Sequence, residues 1–371
     1  MPLRQPPLGQ VQARPPAVSP QLRDQRNRLD VHYHLNTPAT VSSRIVSGDG
    51  QEWTLASNAT RPTSGDYVLQ FDGTVAGPGP NERRVLPDGD YQVVLDVQGG
   101  DSQHQQVPVP LTVSGADTTL PAVTDLALVP DHLSPNFDAQ GDVTHLTYSL
   151  AKQAMVSAFL DSVPASGPPK RMWTGEEVKT PAGVQNLTWD GTANGQPVSD
   201  GQYMLGIRAR DTAGNIVESS QPVVIEDSGV PEASIVSSQI GPLQIIRGDE
   251  VCLDTIVRNT GQTVLRTQGP EPGYVYSSLD NFSSVDNHAY AEHAGYWRVG
   301  LNWSGSTDMS GATYPYRWGF GHDLQPGDEV SVHGCVRVLN EQDQLVYAAS
   351  LIQENVAIHN AGAGLVRIKI S

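Results

Sequence analysis

Apolar and polar residues alternate along most of the chain with a period of two. The segments Leu29–Leu35, Thr144–Leu150 and Tyr203–Arg210 each place successive side chains on opposite faces. Such alternation indicates half-buried antiparallel strands. Turn-forming clusters such as Gly48–Gly50 and Ser199–Gly201 separate the strands, and no segment predicts an amphipathic helix of more than two turns. The pattern therefore predicts an all-β protein built from many short strands.

One sequence phrase occurs twice, which indicates an internal repeat. In the first copy Phe71-Asp72-Gly73 precedes Asp88-Gly89-Asp90-Tyr91, and in the second Trp189-Asp190-Gly191 precedes Asp200-Gly201-Gln202-Tyr203. We expect the aromatic residue to cap the core, the next Asp to accept local backbone N–H groups, and the Gly to adopt a positive φ. We expect the Tyr to point inward and its hydroxyl to reach a backbone carbonyl, as in a tyrosine corner.

The second copy carries a set of motifs along nearly its whole length. These motifs are Leu133–Asn136, Gly141–Asp142, Leu146–Leu150, Trp189–Gly191, Gly195–Tyr203 and Arg210–Asn215. With them the copy resembles the FlgD-type immunoglobulin-like domain of bacterial flagellar hook caps and of many secreted bacterial proteins. The first copy resembles it more loosely, because it lacks the Asp-x-x-Gly-Asn ending and carries an insertion around Ala76–Val85. The resemblance implies β-sandwich repeats and does not carry over a hook-cap function.

Two linkers, Ser114–Pro121 and Glu226–Ala233, divide the chain into modules of the length of one sandwich. We predict three tandem immunoglobulin-like or fibronectin-III-like β-sandwich domains, preceded by an extended proline-rich segment that we interpret as a linker. The predicted boundaries are 1–27 for the extended segment, then 28–115, 119–227 and 232–371 for the sandwiches.

The third module differs in kind from the other two. Its motifs are the strand and Asn-Thr-Gly turn of Asp249–Gly261, the turn and strand of Leu324–Val332, and the C-terminal segments Leu351–Val356 and Leu365–Ile370. They resemble the Asn-Thr-Gly family of immunoglobulin-like modules that is common in bacterial surface proteins. An aromatic-rich insertion, residues 267–321, departs from the compact members of that family.

Both cysteines of the chain, Cys252 and Cys335, lie in the middle of alternating segments of the third module. We predict that they form a disulfide, which would close a loop of about 80 residues and contribute about 4–5 kcal/mol in the chain-entropy model. Two buried free thiols are the alternative. A metal or catalytic role is not expected, because neither cysteine has a second Cys or a His at ligand spacing. A disulfide indicates an oxidising compartment.

The insertion in the third module holds many of the aromatic residues of the chain. Its candidate binding or assembly face consists of Trp297, Trp303, Tyr314, Tyr316, Trp318 and Phe320. Aromatic rings stack on sugars and dominate protein interfaces, so an exposed recognition face is one interpretation. The other is a core for a large insertion that has few aliphatic residues. The period-two placement of Tyr314–Phe320 suits both.

One loop of the second module is rich in oxygen ligands. Asn136, Asp138 and Asp142 surround Gly141, and hard oxygen donors at such spacing suit calcium. The alternative is a set of Asx-turns at the start of a strand. The same two interpretations apply to Asp211 and Asn215. No other cofactor is expected.

The chain of 371 residues has a formal net charge of −17. An acidic surface repels phosphate backbones, so we expect no nucleic-acid partner. No apolar run reaches the ~18 residues of a transmembrane span, and residues 1–27 lack the apolar core of a signal peptide. We nevertheless expect an extracellular or cell-surface location, with an export signal that is not visible in this sequence.

Motifs of nucleotide-binding proteins, serine hydrolases and zinc peptidases do not occur. The sequence therefore predicts a non-enzymatic structural or assembly subunit of a bacterial cell-surface or secreted structure. Its expected partners are other copies of itself or other surface proteins. The alternatives are a carbohydrate-binding or adhesive module set, and accessory domains of a larger secreted enzyme.

Overall fold

The computed structural model describes residues 6–21, 27–100, 103–285, 294–339 and 341–371. The described chain is all-β, as predicted. Its contacts group it into two compact units: unit 1 comprises residues 1–128, 146–187 and 204–222, and unit 2 comprises residues 129–145, 188–203 and 223–371. Because this division runs through the predicted second module, the three-module boundaries stay a prediction.

The first sandwich lies in unit 1. The strands of this region are β1 (Leu8–Arg14), β2 (Ala17–Val18), β3 (Leu29–Leu35), β4 (Ala39–Ser47), β5 (Glu52–Arg61), β6 (Gly65–Phe71), β7 (Thr74–Ala76), β8 (Arg83–Val85), β9 (Gly89–Gly99) and β10 (His104–Val113). Of these, β7 and β8 belong to neither of the two sheets of the first sandwich. A three-stranded sheet in the order β1-β3-β6 faces a five-stranded sheet in the order β2-β10-β9-β4-β5. The inward residues of both sheets form one apolar core that includes Leu29, Ile45 and Val93.

The described part of the N-terminal segment, residues 6–21, belongs to this sandwich, which corrects its interpretation as a linker. Strand β1 pairs with β3, and β2 pairs in parallel with β10. Leu8 and Val18 are buried in the core. Proline has no backbone N–H to donate to a strand ladder, and Pro15 and Pro16 lie between β1 and β2, where they interrupt neither strand. The proline density therefore marks strand ends rather than a tether.

The second sandwich continues the repeat. Its strands are β11 (Val123–Val129), β12 (His132–Leu133), β13 (Thr144–Leu150), β14 (Ala154–Ser162), β15 (Lys170–Thr174), β16 (Val178–Thr180), β17 (Gly183–Trp189), β18 (Thr192–Ala193), β19 (Gln196–Pro197), β20 (Gly201–Arg210) and β21 (Ile216–Ile225). One sheet has the order β11-β13-β17. The other has the order β15-β14-β20-β21-β8-β7, with β16 paired to β14 and β12 to β21.

The repeated phrase forms the same local hydrogen bonds and backbone turn in both copies, as predicted. Asp72 accepts hydrogen bonds from the backbone and hydroxyl of Thr74 at 3.0 and 2.7 Å, and Asp190 does the same for Thr192 at 3.1 and 2.7 Å. The following residues, Gly73 and Gly191, have φ of 85° and 71°. The aromatic side chains that precede the Asp residues are buried.

The tyrosine corners are also confirmed. The Tyr91 hydroxyl donates to the carbonyl of Pro87 at 3.0 Å, and the Tyr203 hydroxyl donates to the carbonyl of Ser199 at 2.9 Å. Each bond ties the first residues of a long strand to the turn before it, so the turn and the core are fixed together.

The third sandwich lies in unit 2. Its elements are β22 (Ala233–Gly241), β23 (Gln244–Ile245), β24 (Glu250–Asn259), β25 (Val275–Ser277), α1 (Phe282–Val285), β26 (Trp297–Ser304), β27 (Tyr316–Trp318), β28 (Glu329–Arg337), β29 (Gln344–Gln353) and β30 (Ala357–Ile370). The sheets have the orders β22-β24-β28-β25 and β23-β30-β29-β26-β27. The insertion 267–321 thus supplies strands to both sheets. No helix of the described chain is long and apolar enough to cross a membrane.

Candidate functional site

The predicted disulfide joins Cys252 of β24 to Cys335 of β28, two residues that face each other in the antiparallel ladder. Their Cα atoms are 4.0 Å apart, although 83 residues separate them in sequence. The neighbouring residues Val251 and Leu253 are fully buried, so alternation places both sulfur atoms on the outer face of the sheet. The bridge therefore joins adjacent strands within one sheet and does not cross the core.

A histidine and an aspartate occupy the next pair of positions on this face. Asp254 and His333 also face each other, and Asp254 Oδ1 lies 2.8 Å from His333 Nδ1. The other ring nitrogen, His333 Nε2, lies 3.3 Å from Cys335 Sγ. The zinc-finger spacings of Cys and His do not include this histidine. The strand period of two, applied to His333-Gly-Cys335, would have found it.

The candidate aromatic face is mostly core. Trp297, Tyr314, Tyr316, Trp318 and Phe320 are each at most 2 % exposed, and Trp303 is half-buried. Burial raises the pKa of Tyr316 to about 12. These rings pack the interior of the third sandwich, which is the second of the two interpretations. Since five of its six members are enclosed, the set does not form an exposed binding platform in this structure.

Polar groups at the edges of the aromatic core are paired. The Tyr276 hydroxyl donates to the carbonyl of Arg317 at 2.8 Å, and Trp318 Nε1 donates to the carbonyl of Tyr274 at 2.9 Å. The Tyr276 ring meets those of Tyr316 and Trp318 at centroid distances of 5.4 and 5.3 Å. Hydrogen-bonded aromatics of this kind can fill a core without leaving an unsatisfied polar group.

Three charged side chains are buried beside these rings. Glu354 lies 3.1 Å from Arg298 and 2.5 Å from Arg317, and all three residues are at most 9 % exposed. Arg317 also donates to the carbonyls of Tyr314 and Thr313 at 2.9 and 2.8 Å. A buried charge needs such partners because desolvation is costly. This cluster could not be predicted from the sequence, since charged residues are usually exposed.

The oxygen-rich loop of the second module folds around its own backbone. Asp142 accepts hydrogen bonds from the amides of Asn136, Phe137 and Ala139 at 3.1, 2.8 and 2.7 Å. Asp138 accepts from the amide of Gln140 at 2.9 Å, and burial raises the pKa of its carboxyl group. These contacts favour Asx-turns, because the carboxylate oxygens face amide donors. The calcium site at this loop stays a prediction.

The same loop contacts the third sandwich within unit 2. The carbonyl of Phe137 accepts a hydrogen bond from Gln353 Nε2 at 2.9 Å. The backbone of Asp138 packs so closely on Gly295 that a Cβ atom there would clash with the carbonyl of Asp138. The loop therefore serves as a contact surface between neighbouring sandwiches.

Asp211 and Asn215, the last motif of the second module, form a buried junction with the first module inside unit 1. Asn215 Oδ1 accepts from the amide of Val85 at 2.9 Å, and its Nδ2 donates to the carbonyl of Asp117 and to Asp211 Oδ2, both at 2.8 Å. Asp211 Oδ1 accepts from three backbone amides, those of residues 213–215, at 2.8–2.9 Å. The fully buried amide side chain of Asn215 thus bonds to strand β8, to the linker at Asp117 and to the turn at Asp211.

Lys152 adds charge to this junction. Its Nζ lies 2.8 Å from Asp117 and 2.7 Å from Asp211. Burial acts to lower the pKa of Lys152, but hydrogen bonds to the two carboxylates outweigh it and raise that pKa. The hydrogen bond from Lys152 also lowers the pKa of Asp117. The linker Ser114–Pro121 is therefore held in place at its centre.

A shared sheet completes the junction. Strand β8 of the first copy pairs with β21 of the second through Arg83 and Ile216. Arg84 Nη1 donates to the carbonyl of Ile216 at 2.7 Å. Backbone pairing across two repeats restricts their relative motion more than a proline-containing linker alone would.

No family model and no curated protein matches the chain. Among solved structures, it is similar to the native conformation of the Escherichia coli α2-macroglobulin, at 11% identity and a TM-score of 0.24 over 100% of this chain and 23% of that one. It is similar to a tetra-tandem repeat from the extending region of a large adhesion protein, at 13% identity and a TM-score of 0.20 over 97% of this chain and 73% of that one.

A third similar structure is invasin, a bacterial integrin-binding protein, at 12% identity and a TM-score of 0.21 over 98% of this chain and 60% of that one. The chain spans about a quarter of the length of the macroglobulin. Identities and scores at this level are too low to indicate a shared function.

Proposed function

We propose that the chain is a non-enzymatic structural or assembly subunit of a bacterial cell-surface or secreted structure. It acts through contacts between β-sandwich modules. The bacterial origin rests on the resemblance of Leu133–Asn215 to FlgD-type domains. The location outside the cytoplasm is supported by the disulfide, because such bonds persist in oxidising compartments.

The observation that carries this proposal is the junction inside unit 1. Asn215 and Lys152 bind the linker at Asp117, and β8 and β21 share a sheet. A chain that only displays independent domains needs no buried polar groups between them. A subunit that must hold its neighbours at a fixed distance needs such groups, since each buried hydrogen bond between two domains opposes bending at their junction.

Assembly would use the edge of the second sandwich. Strand β15 ends its sheet, and β16 pairs with the same neighbour, β14; each carries an exposed apolar side chain, Met172 at 49 % and Val178 at 60 %. An edge strand with exposed apolar residues is a template for pairing with another chain. We propose a second copy of this protein as the partner, joined edge to edge.

Sedimentation velocity of the full chain over a concentration series tests this proposal, together with electron microscopy of the same samples. We expect larger assemblies at high concentration, and their loss in Met172→Glu and Val178→Lys, because a charge at the edge opposes pairing. Val356→Lys, at an exposed turn of unit 2, is the matched control and should assemble like the wild type. A persistent monomer that is also absent from the cell surface would contradict the proposal.

A glycan-binding role has less support in this structure. The aromatic side chains on which it depended are in the core of the third sandwich.

A further inference from the structure

Two cysteines, a histidine and an aspartate form a square on the outer face of the third sandwich. The disulfide Cys252–Cys335 makes one side, and the pair Asp254–His333 makes the opposite side. The face continues in both directions with ion pairs, Glu250–Arg337 at 3.0 Å and Arg258–Glu329 at 3.7 Å. We call the four central residues the cysteine–histidine cluster.

Three possible ligand atoms of this cluster lie close together, and the two sulfur atoms among them are bonded to each other until the disulfide is reduced. The two Sγ atoms and one ring nitrogen of His333 are all within 4.8 Å of each other. Thiolate and neutral imidazole are the preferred ligands of Zn²⁺ in tetrahedral sites. The separation of 3.3 Å between His333 Nε2 and Cys335 Sγ is close to the edge of such a tetrahedron.

Asp254 supplies the outer partner that metal-bound histidines usually have. Its carboxylate contacts His333 Nδ1 at 2.8 Å, which fixes the ring and leaves Nε2 directed at the sulfur. Such a carboxylate raises the basicity of the ligand and selects the tautomer with a free Nε2.

We propose that the cysteine–histidine cluster is a reduction-dependent metal site. A dithiol reduces the Cys252–Cys335 bond: the S–S bond breaks, the two cysteines gain two electrons and two protons, and the dithiol becomes a disulfide. The two thiols then release their protons to water as Cys252, Cys335 and His333 bind one Zn²⁺. The fourth ligand position faces solvent, because half of the His333 side chain is exposed.

The strands hold this geometry without the disulfide. Strands β24 and β28 pair over nine consecutive positions, from Glu250 opposite Arg337 to Arg258 opposite Glu329. A bound metal would therefore replace the covalent bond as the link between the same two strands. The chain would keep this cross-link in both reducing and oxidising surroundings.

Zinc titration of the full chain against a chromophoric chelator tests the proposal, before and after reduction by a phosphine, which avoids competing thiols. We expect one Zn²⁺ per chain only after reduction, and Co²⁺ should give the visible absorption of a tetrahedral thiolate site. Binding should be lost in the double variant Cys252→Ser and Cys335→Ser. Asp254→Asn should weaken it by about 10–100-fold.

A second histidine–aspartate pair provides the matched control. His34 and Asp66 face each other on β3 and β6 at 2.7 Å, with no cysteine nearby. His34→Gln should leave zinc binding unchanged, whereas His333→Gln should weaken it. Equal binding by the unreduced chain, equal binding by the double serine variant, or a reduced chain that loses its near-ultraviolet circular dichroism and does not regain it with zinc would each overturn the proposal.

Discussion

The first two sandwiches and the third are stabilised by links of different length along the chain. In the repeats, Asp72 and Tyr91 bond to groups two and four residues away, and their counterparts in the second copy do the same. In the third sandwich the corresponding links are long: the disulfide joins residues 83 apart, and Arg317 reaches Glu354 over 37 positions. The loss of one local hydrogen bond affects only a few residues of the folded chain. A long-range link also restricts the conformations of the unfolded chain between the two linked residues.

Among the variants that test this contrast, the double variant Cys252→Ser and Cys335→Ser should change the free energy of unfolding most. Opening a loop of 83 residues should lower the free energy of unfolding of the third sandwich by about 4 kcal/mol. Urea unfolding followed by the fluorescence of the buried tryptophans measures this change. The contrast fails if the loss is no larger than that of a single hydrogen bond.

Glu354→Gln should have the next largest effect. It removes the carboxylate charge that contacts Arg298 and Arg317 in this buried cluster, and breaking a buried ion pair should cost about 3–5 kcal/mol. Glu52→Gln breaks the exposed Arg44–Glu52 pair and should cost less than about 1 kcal/mol. Chemical unfolding of both variants gives the comparison, and equal losses would show that burial of the charges does not matter.

Tyr91→Phe and Tyr203→Phe test the local devices of the repeats. Each variant removes one hydroxyl bond to a turn carbonyl, so each should lower the free energy of unfolding by about 1 kcal/mol. Thermal unfolding should show similar shifts for the two variants because the bonds are equivalent. A large effect in one copy and none in the other would contradict the repeat.

The smallest expected effect is a pH dependence of the third sandwich. His359 stacks on Trp297 at 4.9 Å, and its Nε2 is buried with no hydrogen-bond partner in the described chain. Burial lowers its pKa below 6.5, so the unfolded state binds the proton more readily. The stabilisation from neutral His359 is present above pH ~6.5 and is lost as the pH falls through the lowered pKa.

Thermal unfolding between pH 7 and pH 5 measures this dependence. His359→Phe keeps the stacking and should flatten the profile, whereas His132→Gln, at an exposed site, should not change it. An unaltered slope in His359→Phe would contradict the assignment.

The same contrast explains what the sequence could predict. Strands β3 and β13 begin and end where alternation placed them, and the tyrosine bonds follow from turn chemistry, because these signals act within a few residues. Strand β2 of the N-terminal segment was missed because its partner, β10, lies far along the chain, and β1 because prolines flank it.

Contacts between side chains far apart in the sequence were predictable only where a residue type has few possible partners. Two cysteines can pair in one way, so the disulfide was predictable. Arg298 and Glu354 have many alternative partners, and nothing near either residue in the sequence indicates burial. His333 was within reach of prediction, because it shares a strand face with Cys335.

Within unit 1, the first sandwich is bonded to the adjoining part of the second and is not loosely tethered to it. Hydrogen exchange at the Val85 amide, which donates to Asn215 Oδ1, tests this bonding most directly. We predict strong protection of this amide in the wild type, loss of protection in Asn215→Ala, and no change in Asn186→Ala at an exposed site of the second sandwich. Exchange of the Val85 amide in the wild type at the rate of an unstructured peptide would contradict the account.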